Sequence, residues 1–273
     1  MALFNFKLAK IEDIHPWGEP DDYSLHWFGL TYGTYYINAD SHHLLRYSDD
    51  FLNQTNQSGP TNIADLDLRY VDYQIGRFHA DLTEILPTVI SPLPKVITDL
   101  TTPIEYYCQI RSLSEFADSD SSPITAKDIP NDASDWLINL FLDTGYLRAG
   151  PIISMYRTND EIHIDWNNEN LLLDGFQPWH EITGYSVYTV DEFIVEITDF
   201  HQRLMSEMQT RVKTISQNGI DKISVDIDQL HKDMDDRINW LDWSLKRAPC
   251  EFNWTSVANS IQKVKSLYDK YCT

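Results

Sequence analysis

Ile152-Ile153-Ser154-Met155-Tyr156-Arg157-Thr158-Asn159-Asp160-Glu161-Ile162-His163-Ile164-Asp165-Trp166 is the stretch that decides the fold class. Ile152, Ser154 and Tyr156 alternate on one side of Thr158-Asn159-Asp160, and Ile162, Ile164 and Trp166 on the other. A period of two interrupted by turn-forming residues is a β-hairpin. A further strand reads at residues 185–189, and there the period changes. Thr189-Val190-Asp191-Glu192 is a capping box, in which the hydroxyl and the carboxylate three residues on satisfy two free backbone donors. Phe193, Ile197, Phe200, Leu204, Met208 and Val212 then recur at helical spacing. A hairpin and strand running straight into a long amphipathic helix predict an α+β protein. The expected architecture is an antiparallel sheet packed with amphipathic helices and closed by a C-terminal helical region.

Outward from that stretch, the N-terminal part reads as strands. Phe4, Phe6 and Leu8 alternate with polar residues. Residues 25–30 and 34–38 read as two strands around a Thr31-Tyr32-Gly33 turn, and residues 42–47 as a third. Residues 53–62 are polar and predict a loop. Val71, Ile75, Phe78, Leu82, Ile85 and Val89 place a helix over residues 69–88, ended by Pro92 and Pro94. Another helix is expected over 104–116, a loop over 118–134, and a helix from Ser134 to near Gly145. In the last third, Ile227, Leu230, Met234, Ile238, Leu241 and Leu245 form one stripe stopped by Pro249. Val257, Ile261, Val264, Leu267 and Tyr271 form another. The division is an acidic α+β region, residues 1–187, and a helical region, 188–273, packed on it as one unit.

The chain carries 21 Lys+Arg against 42 Asp+Glu, a formal charge of −21 over 273 residues. Residues 1–187 hold 28 acids and 10 bases, so most of the excess lies there. Residues 11–45 and 158–202 contain no Lys or Arg at all. A field of that sign repels nucleic acid and anionic membrane and favours a basic partner. Disorder is excluded because 42% of residues are hydrophobic and 12% aromatic, enough apolar surface to offset chain entropy. Residues 2–8 read as a strand and not a signal peptide, and the apolar run at 136–142 is far too short for a membrane span. Three cysteines without metal-ligand spacing (Cys108, Cys250, Cys272) fit a reducing cytoplasm, the expected location.

Catalytic motifs are missing. There is no Gly-x-Ser-x-Gly elbow, no phosphate-binding Gly-rich loop and no His-Glu-x-x-His helix. Asp118-Ser119-Asp120 opens like a calcium loop, but Pro123 and Ile129 stand where Gly and Glu are needed. His42 and His43 are adjacent and face opposite ways on a strand. His163 and Asp165 share a strand face, and only a convergence in three dimensions that no spacing demands would bring His15 and His26 together with His163.

Several blocks along the chain form a recognisable set. They are Pro16-Trp17-Gly18, Leu25-His26-Trp27-Phe28-Gly29-Leu30-Thr31 with Gly33 and Tyr35, Leu45-Arg46-Tyr47 and Tyr70-Val71-Asp72-Tyr73. Asp143-Thr144-Gly145-Tyr146-Leu147 with Ala149-Gly150-Pro151, and Phe200-His201-Gln202-Arg203-Leu204-Met205, complete the set. Together they resemble a bacterial family of uncharacterised proteins associated with interbacterial toxin–immunity loci, and the resemblance runs to about Val212. It implies an immunity role and supplies no catalytic residues.

Charge and resemblance together predict an immunity-type protein, not an enzyme and without metal or cofactor, that occludes the active site of a cognate basic toxin. The expected binding surface is Asp21, Asp22, Trp27, Tyr35, Asp160, Glu161, Asp165, Glu169 and Asp174: aromatics for burial, carboxylates for steering. The alternatives are a metal-dependent hydrolase built on His26, His163 and Asp165, and a non-catalytic adaptor.

Overall fold

A computed structural model describes residues 2–19, 22–55 and 65–272. The first sheet is organised around β2 (Tyr32–Ala39). β1 (Phe4–Leu8) pairs antiparallel along one edge of it, Phe4 opposite Ile37 and Leu8 opposite Gly33. The other edge is shared between β3 (His42–Leu44), opposite residues 37–39, and β4 (Val71–Gln74), opposite residues 32–35. Leu45 divides it: its φ of 69° turns the chain off β2, and the Val71 N–H donates to its carbonyl at 3.0 Å.

Two expectations for this sheet are corrected. The turn at Thr31-Tyr32-Gly33 does not exist, because Gly33 lies inside β2, where any Cβ would collide with the Lys7 carbonyl of β1. The turn that reverses the chain is at Asp40, with φ 58°. Nor do residues 25–30 form a strand. Leu25, Trp27 and Leu30 are buried, but the backbone bonds locally and to Ser224, and Gly29–Thr31 is a single 3-10 turn.

The second sheet is a meander of β5 (Ile153–Thr158), β6 (Glu161–Asn167) and β7 (Thr183–Thr189), all antiparallel. The predicted hairpin is present, turning at Asn159 with φ 53°. Its register places Ser154 opposite Asp165 and Tyr156 opposite His163, so Ser154 and Tyr156 face away from Ile162, Ile164 and Trp166.

Helices cover both sheets: α1 (Asp49–Thr55), α2 (Ile75–Val89), α3 (Lys95–Thr98), α4 (Pro103–Ala117), α5 (Ser134–Ile138), α6 (Val190–Asn218), α7 (Ile227–Arg237), α8 (Trp240–Lys246) and α9 (Trp254–Tyr271). Of the loop expected at 53–62, residues 53–55 belong to α1 and the rest lie outside the described residues. α2 starts later than its apolar stripe because residues 71–74 pair with β2. α5 is short because residues 140–142 bond along β5 instead, Met155 N–H to the Leu140 carbonyl at 2.7 Å and Leu142 N–H to the Ile153 carbonyl at 3.1 Å. The capping box at Thr189 and Glu192 opens α6 as expected.

The stripe from Ile227 to Leu245 breaks at Ile238-Asn239 into α7 and α8, leaving Ile238 exposed. The last four helices form no bundle of their own. α6 lies on β1, β6 and β7, α7 on α6, α8 on α2, and α9 on α3 and α4. A single apolar cluster runs from Leu3 to Val264. Among the described residues no helix is long and apolar enough to cross a membrane.

Candidate functional site

The nominated residues separate into core and surface. Trp27 is 0% exposed, with the Arg237 guanidinium 4.3 Å from its ring, and Tyr35 is 1% exposed and stacked on Phe78 at 4.7 Å. Asp165 is also buried, and its Oδ2 accepts from the Tyr156 hydroxyl at 3.0 Å. Burial raises its carboxyl above the usual carboxylate range, against the opposing pull of that hydrogen bond and of His163. These three are structural, which corrects the expectation that they form part of a binding surface. Aromatic side chains the size of Trp27 and Tyr35 are worth more covered than exposed, and the Tyr156 hydrogen bond offsets part of the cost of burying Asp165.

Asp22, Asp160, Glu161, Glu169 and Asp174 are exposed, and Asp21 lies outside the described residues. Asp160 and Glu161 sit together at the β5–β6 turn, where Asp160 also pairs with Arg157 at 3.2 Å. The Val190 N–H donates to the Asp160 carbonyl at 3.1 Å, which brings Asp191 and Glu192 of α6 to the same end. The β2–β3 turn arrives there too, since the Asp40 N–H donates to the Tyr188 hydroxyl at 3.0 Å. Glu169 and Asp174 follow the opposite end of β6. Between the two ends β7 carries Tyr185, 70% exposed and opposite Asp165. The base-free window 158–202 therefore folds into one connected unit with acids at both ends. The other window, 11–45, is split: residues 25–39 are largely buried, while Glu12, Glu19, Asp22 and Asp40 stay exposed.

A cleft of about 360 Å³ lies between α2 and α8, lined by Arg77, Asp81, Glu84, Trp240, Trp243 and Arg247 among others. Tyr146 donates to Asp81 Oδ2 at 2.9 Å, and Arg77 Nε lies 3.3 Å from Oδ1. The other arm of Arg77 reaches Asp143 at 2.9 Å, and its guanidinium lies 5.3 Å from the Tyr146 ring, itself stacked on Tyr73. Burial pushes the Asp81 carboxyl up to about 7, with Tyr146 and Arg77 pulling it down. A carboxyl poised there in an open cleft can give or take a proton at neutral pH. Sequence reading missed this group. Trp240 and Trp243 at i, i+3 were a visible signal, but Asp81 and Tyr146 stand 65 residues apart.

The metal alternative loses its site. Among the described residues no three His, Cys, Asp or Glu side chains are arranged to hold an ion. His163 bonds Thr158 at 2.6 Å and stacks on Tyr156, while His26 packs edge-on to Trp17.

Fold and surfaces together define an α+β protein of two antiparallel sheets, one of which ends in a carboxylate-rich rim. The chain belongs to DUF5984, a family of unknown function whose profile matches residues 3–260. The match extends past Val212 through α7 and α8 and into α9. None of the curated proteins or solved structures compared with it matches.

Proposed function

We propose that this protein is an immunity-type inhibitor that binds a basic toxin domain through the β6–β7 face and occludes its active site. One observation carries the reading: residues 158–202, without a single Lys or Arg, fold into β6, β7 and the start of α6 with Glu161 and Asp191 exposed at one end, Glu169 and Asp174 at the other and Tyr185 between. A carboxylate rim around an exposed aromatic suits a cationic partner, the rim steering encounter and the aromatic supplying burial. Steering raises association by roughly 10–10³-fold at low salt. Stable occlusion needs about 800 Å² buried on each partner.

The test is co-expression with the product of the adjacent reading frame. The expected result is rescue of growth, with a complex whose association slows as salt rises. Killing that is equal with and without this protein overturns the reading. Asp81 in its cleft favours a second reading, a small-ligand or catalytic role. Asp81→Asn separates the two, because it leaves rescue intact under the first and abolishes activity under the second.

A further inference from the structure

A sheet edge is a row of backbone donors and acceptors, and chains normally block it with lysine, proline, bulges or covering segments. The long strands of this protein can be compared edge by edge. β5 is covered: the Ile153 carbonyl takes Leu142 N–H, Met155 N–H reaches the Leu140 carbonyl, and the Arg157 carbonyl takes Leu93 N–H, at 3.1, 2.7 and 3.0 Å. β1 carries Lys7, and α6 straddles its edge: Arg203 bonds the Phe4 carbonyl at 2.7 Å and Arg211 the Ala9 carbonyl.

β7 has none of these devices. Thr183-Gly184-Tyr185-Ser186-Val187-Tyr188-Thr189 contains no charge and no proline, and its seven pairs with β6 run without a bulge. The bonds Val190 N–H to Asp160 and Asn168 N–H to Ile182 flank the ladder. Their alternation puts the backbone groups of Tyr185 and Val187 on the side away from β6. Among the described residues no group bonds to them.

We propose that β7 takes up an extended, Lys/Arg-bearing segment of a partner protein as a fourth strand of the β5-β6-β7 sheet. Backbone pairing to Tyr185 and Val187 would supply affinity, as in strand-addition recognition generally. Charge selects the occupant: the acids at both ends of β7 favour a basic segment, and a net charge of −21 disfavours a second copy of this chain. The inference rests on the acidic-face reading and specifies how the partner is held.

The test uses the full chain and a synthetic peptide alternating lysine and valine at low salt, beside the same peptide N-methylated at alternate backbone amides. Expected are slowed hydrogen exchange at the Tyr185 and Val187 amides and binding weakened about tenfold or more by N-methylation. Val187→Pro should weaken binding similarly, since that N–H serves no bond within the sheet. Equal binding of both peptides with unchanged exchange overturns strand addition and leaves the acidic face standing. Failure of both peptides to associate overturns both. A concentration-dependent dimer lost in Val187→Pro also overturns it, in favour of self-pairing.

Discussion

Ser244 of α8 donates its hydroxyl hydrogen to the carbonyl of Thr83 in α2. That carbonyl stands four residues before Pro87, which has no N–H to give it. α2 continues through its proline because a side chain from a distant helix supplies the missing donor, and both residues are buried. Ser244→Ala therefore strands a buried acceptor and should lower stability by about 1–3 kcal/mol. In a Pro87→Ala background the helix supplies its own donor, and the cost of Ser244→Ala should shrink. Urea unfolding of the four proteins in the cycle measures the coupling. Additive effects would show that the two sites are independent.

A buried histidine pair ties part of the stability to pH. The Ile238 carbonyl, freed at the α7–α8 break, can only accept, so His201 Nε2 (3.1 Å away) carries the proton. His201 Nδ1 is then bare and accepts from His79 Nε2–H at 2.9 Å. Burial, with His201 and Arg237 adding to it, pushes His79 down to about 3 from an ordinary 6.5. Between those values the unfolded chain holds the extra proton at this residue, so the His79 contribution to stability falls as pH drops from 6.5 toward 3, by up to about 1.4 kcal/mol per pH unit, while the raised Asp81 carboxyl contributes with the opposite sign below about 7. His79→Gln keeps a donor but cannot titrate, and should lower the slope of unfolding free energy against pH across about 4–6 relative to the native chain. Parallel curves for the two proteins would exclude the pair as its source.

Asp81 provides a direct spectroscopic check on the α2–α8 cleft. Its carboxyl carbon should titrate by NMR with a midpoint near 7, and the midpoint should move higher still in Tyr146→Phe, which removes a hydrogen bond to the charged form. A midpoint in the ordinary carboxylate range would mean that the cleft is wetter than its packing implies.

Gly184 is the one residue of β7 whose side must stay empty. A Cβ there would run into the ring of Trp166, a fully buried side chain directly across the ladder. Gly184→Ala should cost about 1–3 kcal/mol through overpacking. Trp166→Phe added to it should recover part of the loss, as chemical denaturation would reveal.

What could be read along the chain was whatever depends on neighbours close in sequence. The β5–β6 hairpin follows from alternation around Thr158-Asn159-Asp160, and α6 from its capping box and apolar stripe, because turns, caps and amphipathic faces are local. The concentration of charge in residues 158–202 is likewise a property of sequence alone. Apolar spacing misled wherever the backbone found a partner far away. Val71 continues the α2 stripe but joins β2, residues 140–142 follow α5 but line β5, and Ile238 fits the α7 stripe but stands exposed at a break.

The candidate sites divide in the same way. Glu161 and Glu169 are exposed, and their acidity was legible. Tyr35 and Asp165 were misplaced because strand alternation does not say which faces are covered on both sides, and Trp27 because its segment is not a strand. Here α2, α4 and α6 leave few strand faces open. The meeting of Asp81 with Tyr146, of His79 with His201 and of Thr83 with Ser244 was decided only by tertiary packing. Each joins positions 65 or more residues apart, and no local pattern encodes contacts of that range.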